Sequence, residues 1–225
     1  MGKNRYMKFV KISEAKFRLL LKCFCLDETA KNGAQITNVH TNTAERIYQK
    51  LRKRVAHLAV TETEQYLKGS FEIDESYFGP RRVRGKRGRG AYRKTPVFGI
   101  LKRDGKVYTQ IIKSCSEKEL LYIIKGTILE NSTIYSDGWK AYDSLIINGY
   151  NHYRIYHSHN EFARGKNHIN GMESFWSFVK RRINKFNGLT KSNFPLFLKE
   201  SEFRWNHRHQ DLYVLLLKYI RSDPL

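Results

Sequence analysis

From Ser13 to Leu58 apolar residues recur every three or four positions. In "SEAKFRLLLKCFCLDET", Phe17, Leu20, Leu21 and Phe24 share one helical face behind a Ser13 cap, and Leu26 continues it. "KNGAQ" predicts a break. In "TNTAERIYQKLRKRVAHL", Ala44, Ile47, Leu51, Val55 and Leu58 form an apolar stripe, with Thr41 or Thr43 as cap. The opposite face carries Arg46, Lys50, Arg52, Lys53 and Arg54. Helix, break and basic helix suit a helix-turn-helix module. A basic amphipathic helix packed on its neighbour explains the same pattern, so both readings stand.

Past Gly69 the period shortens. "SFEIDESYFG" alternates and is rich in β-formers, which predicts a strand with Asp74 inside it. Strands at Val97–Lys102 and Val107–Ile112 flank an Asp104-Gly105 turn. "SEKELLYIIKGTILE" predicts a helix capped by Ser116, and "STIYSDGWKAYD" a short strand ending at Asp137-Gly138. A further strand is expected at His152–Tyr156, then helices from His168 to about Lys185 and over Asn193–His207. An antiparallel three-stranded start, a helix, and a strand returning beside the first make an α/β fold of the ribonuclease H-like arrangement. This is a mixed sheet flanked by helices, whose strand ends gather carboxylates. The expected division is a helical segment over 1–68, a catalytic domain over 69–210 and a C-terminal helix or tail over 211–225.

Charge narrows the partners. Lys and Arg number 42 against 21 Asp and Glu, a formal net charge of +21. A polyanion is the natural partner, nucleic acid first, with an anionic membrane surface or ribosomal RNA as other readings. The segment Pro80–Lys94 alone holds eight cations, Arg81, Arg82, Arg84, Lys86, Arg87, Arg89, Arg93 and Lys94, and no acid. It is expected to be a glycine-rich, positively charged loop. No apolar run approaches the roughly 18 residues of a membrane span, and the first residues lack the apolar core of a signal peptide. The expected location is the cytoplasm, beside the nucleoid if the source is bacterial. Cys23, Cys25 and Cys115 form no paired knuckles, so a zinc ribbon is unsupported and reduced thiols are expected.

Three acids carry the candidate chemistry. A carboxylate inside a strand is costly unless a cation or hydrogen bonds meet it, which singles out Asp74. Asp137 ends an apolar strand. Glu173 lies in the helix after His168, with Asn170 and Lys180 on its face at spacings of three and seven. Hard oxygen ligands from separate elements are what Mg²⁺ takes, and a pair of such ions supports in-line phosphodiester displacement. Read singly, Asp137-Gly138 is also a turn and Glu173 also a solvated helix residue; the joint placement favours the site. Trp139 and Trp176 fit core packing better than base stacking. His157, His159 and His168 receive no ligand role.

The stretches "IDESYFG", the basic loop, "PVFGILKRDGKVY", "IYSDGWKAYD" and "NGMESFWSFVKRRINKFNG" together resemble the DDE transposases of bacterial insertion sequences, in the group related to the eukaryotic Merlin elements. The resemblance covers about residues 70–208. It implies that Asp74 and Asp137 are the first and second catalytic acids and Glu173 the third, all binding Mg²⁺ (with Mn²⁺ expected to substitute). Some relatives use Asn as third ligand, and Asn170 matches that place; Glu173 is preferred because a carboxylate binds Mg²⁺ more strongly than an amide. Lys180 and Arg181, with Arg182, would hold DNA phosphate. The implied reaction is nicking at element ends, then attack of a 3′-hydroxyl on target DNA.

Its partners would be double-stranded DNA of both kinds and a second copy of the chain on DNA, with no membrane and no small-molecule substrate. The loop cations and Arg46, Lys50 and Lys53 would contact the backbone. Two other functions fit the same residues: a metal-dependent nuclease or resolvase without strand transfer, and a non-catalytic, domesticated DNA-binding protein.

Overall fold

The periodicities resolve into seven helices and five strands among the residues that the computed structural model describes: 4–62, 67–79, 94–103, 105–137, 140–155, 169–186 and 189–225. The helices are α1 (Glu14–Cys25), α2 (Ala30–Thr37), α3 (Thr41–Thr61), α4 (Glu117–Thr127), α5 (Asn170–Asn184), α6 (Phe194–Asn206) and α7 (Leu212–Ser222). The strands are β1 (Ser70–Phe78), β2 (Thr95–Lys102), β3 (Val107–Ile111), β4 (Thr133–Asp137) and β5 (Asn151–Ile155). A short 3₁₀ segment covers Lys140–Leu145. Among the described residues no helix is long and apolar enough to cross a membrane.

The chain packs as two units, Met1–Thr61 with Gly188–Leu225, and Glu62–Asn187. Residues 188–225 join the first unit because α6 packs on α3 and α7 on α1.

In the helical unit, polar caps set the starts. Ser13 accepts from the Lys16 N–H and Thr29 from the Asn32 N–H. Asn38, in the left-handed region at φ 48°, closes α2. The expected break at "KNGAQ" is therefore corrected: those residues form α2, and Gly33 is buried against Tyr48. Phe17, Leu20, Phe24, Ile47, Tyr48 and Leu51 share a core with Phe203, Leu216 and Ile220 from the far end of the chain. Arg52, expected on the basic face, is instead buried; its Nε bonds Glu200 Oε2 at 3.0 Å, and Arg204 bonds Glu200 Oε1.

The second unit is one sheet in the order β3-β2-β1-β4-β5. β1 pairs antiparallel with β2 and β2 with β3, while β1, β4 and β5 run parallel. This is the ribonuclease H-like arrangement. Alternation along β1 divides its side chains. Phe71 and Ile73 join Phe98, Ile100, Leu120, Ile124, Ile134 and Tyr142 in a core on one face. Glu72 and Asp74 take the opposite face, where α5 lies. Gly99, the register partner of Asp74, makes room for that helix: a Cβ there would stand 2.3 Å from Met172 Cε and 2.6 Å from Trp176 Cζ2.

Candidate active site

The parallel register brings two of the expected acids side by side. Glu72 is opposite Tyr135 in the β1–β4 ladder, and Asp74 and Asp137 each lie two residues further along their strands. Both therefore stand on the α5 face of the sheet. Burial is the first cause that pushes the Asp74 carboxyl up to about 6, and the Asp137 charge beside it is the second. Glu173 adds a smaller push in the same direction, whereas the Glu75 N–H and the Trp176 indole pull back. Trp176 is 4% exposed, and its Nε1–H leans towards Asp74 without closing a hydrogen bond of normal geometry.

Glu173 is exposed on the first turn of α5. Asn170, the first residue of α5, and Lys180 are exposed too, at spacings that put them on the same side of that helix as Glu173. Asp74, Asp137 and Glu173 are thus electrostatically linked across three elements, with Asp137 the stronger influence on Asp74. Among the described residues, however, no three His, Cys, Asp or Glu side chains stand close enough together to be a ready-made metal cage. The donor chemistry fits a divalent cation nonetheless. These are hard oxygen donors; Asp74 is desolvated and repelled by Asp137 and Glu173, and bound cation charge relieves both conditions.

Behind β1 lies a polar group that the sequence reading did not single out. Glu75, next to Asp74, projects to the other face and accepts from the Tyr142 hydroxyl. Its carboxyl is pushed up to about 7, by burial first and then by Asp74 and Asp137 against the pull of the Tyr142 bond. On the same side Ser136 Oγ and His152 Nε2 are 2.8 Å apart.

Glu72 was also passed over. It is 2% exposed, and its Oε2 accepts from the Met172 N–H at 2.9 Å. Its Oε1 accepts from Arg103 Nε at 3.3 Å, and the Arg103 guanidinium lies 3.6 Å from the Tyr135 ring centre. "EIDE" held the signal for both acids, since every carboxylate inside a strand needs a partner.

The expected DNA contacts divide. Arg46 and Lys53 are exposed on α3 and Lys50 is half-buried there, while Lys94 is exposed just before β2. Arg181 is exposed, with its guanidinium on Ser177 Oγ. Arg182 is corrected: it is 5% exposed and lies over the Phe186 ring, because its place on α5 falls on the buried stripe with Met172, Phe175 and Val179. Arg81, Arg82, Arg84, Lys86, Arg87, Arg89 and Arg93 lie outside the described residues, as do Trp139, His157, His159 and His168.

Comparison with known proteins adds an independent line. The profile of the ISXO2-like transposase domain matches residues 66–206, more than half of the chain. An uncharacterized transposase-like protein of Haemophilus influenzae is 38% identical over 120 residues, 53% of this chain and 97% of that protein. An uncharacterized protein in the transposable element ISH50 of Halobacterium salinarum is 29% identical over 175 residues; the match takes in 70% of this chain and only 60% of that protein's length. Among solved structures, a chain of the simian T-cell lymphotropic virus intasome, in complex with PP2A regulatory subunit B56 gamma, aligns over 84% of this chain and 68% of its own. It does so at 12% identity and a TM-score of 0.37.

Proposed function

The chain belongs to the ISXO2-like transposase family, and from that premise we propose that it nicks DNA at the ends of an insertion sequence and joins the freed 3′-hydroxyl to target DNA. The observation that carries this reading is the placement of Asp74 and Asp137 on neighbouring parallel strands, with the first turn of α5 on the same face. Asp74, Asp137 and Glu173 would hold Mg²⁺, or Mn²⁺ in its place. When bound, such ions activate the attacking oxygen and stabilise the leaving one in an in-line displacement.

The chain's own residues do the rest. Asp74, held opposite Gly99 on β2, and Asp137, held opposite Ile155 on β5, set the spacing of the oxygen donors. Glu173 closes the set from the helix, and Asn170, one turn before it, orients it or contacts water. Lys180, two turns along the same side as Glu173, holds a DNA phosphate, and Arg181 adds a second cation. Outside the reacting atoms, Arg46, Lys50 and Lys53 on α3, Lys94, and the cations of the segment over 80–93 hold the DNA backbone. Joining two ends calls for two copies of the chain on DNA.

Purified protein with an element-end duplex and Mg²⁺ or Mn²⁺ tests the reading. Glu173→Ala is expected to slow nicking by about a hundredfold or more, since even residues behind a metal ligand are worth about 10–100-fold. Asn170→Ala is expected to retain most of the nicking. If the two variants exchange those outcomes, Asn170 is the third ligand. Joining is read separately, as covalent linkage of labelled ends to a plasmid. Nicking with no joining returns the protein to the nuclease class.

A further inference from the structure

The acids of the proposed site sit on three elements, and one side chain touches or adjoins all three. We propose that Glu72 is a positioning residue, tethering the first turn of α5, and with it Glu173, to the strands that carry Asp74 and Asp137. This rests on the catalytic reading above.

The first amides of a helix have no carbonyl within the helix to receive them. A Ser, Thr, Asp or Asn at the N-cap normally accepts one, but the cap of α5 is Ile169, which makes no side-chain bond. Glu72 supplies the missing acceptor from a neighbouring strand, at 2.9 Å from the Met172 nitrogen. Its negative charge also suits the positive end of the α5 dipole. Gly171 permits the approach: a Cβ there would stand 2.9 Å from Glu72 Oε2 and 2.3 Å from Leu101 Cδ2. The other oxygen of Glu72 is held by Arg103, whose guanidinium lies on Tyr135.

The geometry of this girdle repeats that of the site. Glu72 is two residues before Asp74 on β1, and Tyr135 two before Asp137 on β4. Met172 is one before Glu173 on α5. A shift of α5 along the sheet would move Glu173 without moving either aspartate, and the Glu72 tether opposes that shift. Misplacement by about 1 Å can cost about a hundredfold in rate.

Amide exchange in the full wild-type chain tests the tether with no substitution. The Met172 amide is expected to exchange at least about tenfold more slowly than those of Asn170 and Gly171 in the same turn; equal rates overturn the proposal. Glu72→Ala tests the consequence. Its half-saturating Mn²⁺, read by electron paramagnetic resonance and by nicking, is expected to rise about tenfold, with affinity for DNA unchanged. Glu72→Gln keeps an oxygen that accepts the Met172 N–H, and is expected to stay within about threefold of wild type.

A Glu72→Ala protein that melts earlier but saturates with Mn²⁺ at the wild-type concentration would mark Glu72 as a structural ion pair only, and the proposal fails. Glu173→Ala separates this failure from that of the underlying reading. If Glu173→Ala nicks like wild type, the catalytic assignment is wrong whatever Glu72 does. If it stops nicking while Glu72→Ala is unaffected, only the tether is wrong.

Discussion

Asp74 and Glu75 are adjacent on β1 and project to opposite faces, yet burial holds both towards the protonated form, at about 6 and about 7. A carboxyl whose folded-state pKa is raised binds its proton more tightly folded than unfolded. Its contribution to stability is therefore full below the unfolded value, 4.5 for Glu75, and falls as pH rises to the folded value of about 7. Wild type is expected to lose thermal stability relative to Glu75→Gln between about pH 4.5 and about pH 7. Melting the two proteins across that range checks it, and parallel curves would refute it. Mn²⁺, binding only the folded site, is expected to raise the wild-type melting temperature more at pH 7.5 than at pH 5. At this scale the place of Asp74 inside β1 was legible from the alternation of its strand. Glu72 and Glu75 obeyed the same rule and were missed, since their partners, Met172, Arg103 and Tyr142, are distant in sequence.

At the scale of elements, α5 meets the sheet at two glycines, and its side-chain stripe decides which cations are usable. Gly99→Val is expected to overpack the contact with Met172 and Trp176, costing about 1–3 kcal/mol by denaturant titration. A Gly99→Val protein as stable as wild type would mean that α5 can shift freely. On α3 the exposed cations should behave as phosphate contacts. Lys53→Ala is expected to weaken DNA binding evenly across sequences and to reduce the salt slope by about 1. Affinity measured from low to high salt reads this directly.

Most elements were legible from period and caps: α1 behind Ser13, α4 behind Ser116, and the paired strands of β2 and β3. Two kinds of local sign misled. "KNGAQ" has the composition of a loop, but Thr29 caps a helix there and Gly33 serves packing against Tyr48. Arg52 and Arg182 read as surface charges because charge usually is; Glu200 becomes a neighbour of Arg52 only in the fold, and Arg182 falls on the buried stripe of α5.

For the whole chain, the helical unit depends on an ion network that its own N-terminal sequence cannot supply. Glu200→Ala would leave the buried Arg52 and the half-buried Arg204 without their shared carboxylate, a loss of about 3–5 kcal/mol. Chemical denaturation followed by a probe in the helical unit would show it, and a loss under about 1 kcal/mol would contradict the assigned role. The order of strands, and so the class of fold, could be drawn from sequence because each β-element announced itself locally. The union of α1–α3 with α6 and α7 could not, since it rests on contacts such as Phe24, Tyr48 and Arg52 with residues beyond 194.

That union fixes an order of events at the ribosome. Arg52 is made 148 residues before Glu200. At about 5–20 residues per second the interval is about 7–30 s. Throughout it, every residue of the sheet is synthesised while α3 still lacks its buried counter-charge. The strands and helices that carry Asp74, Asp137 and Glu173 thus emerge before the helical unit can close.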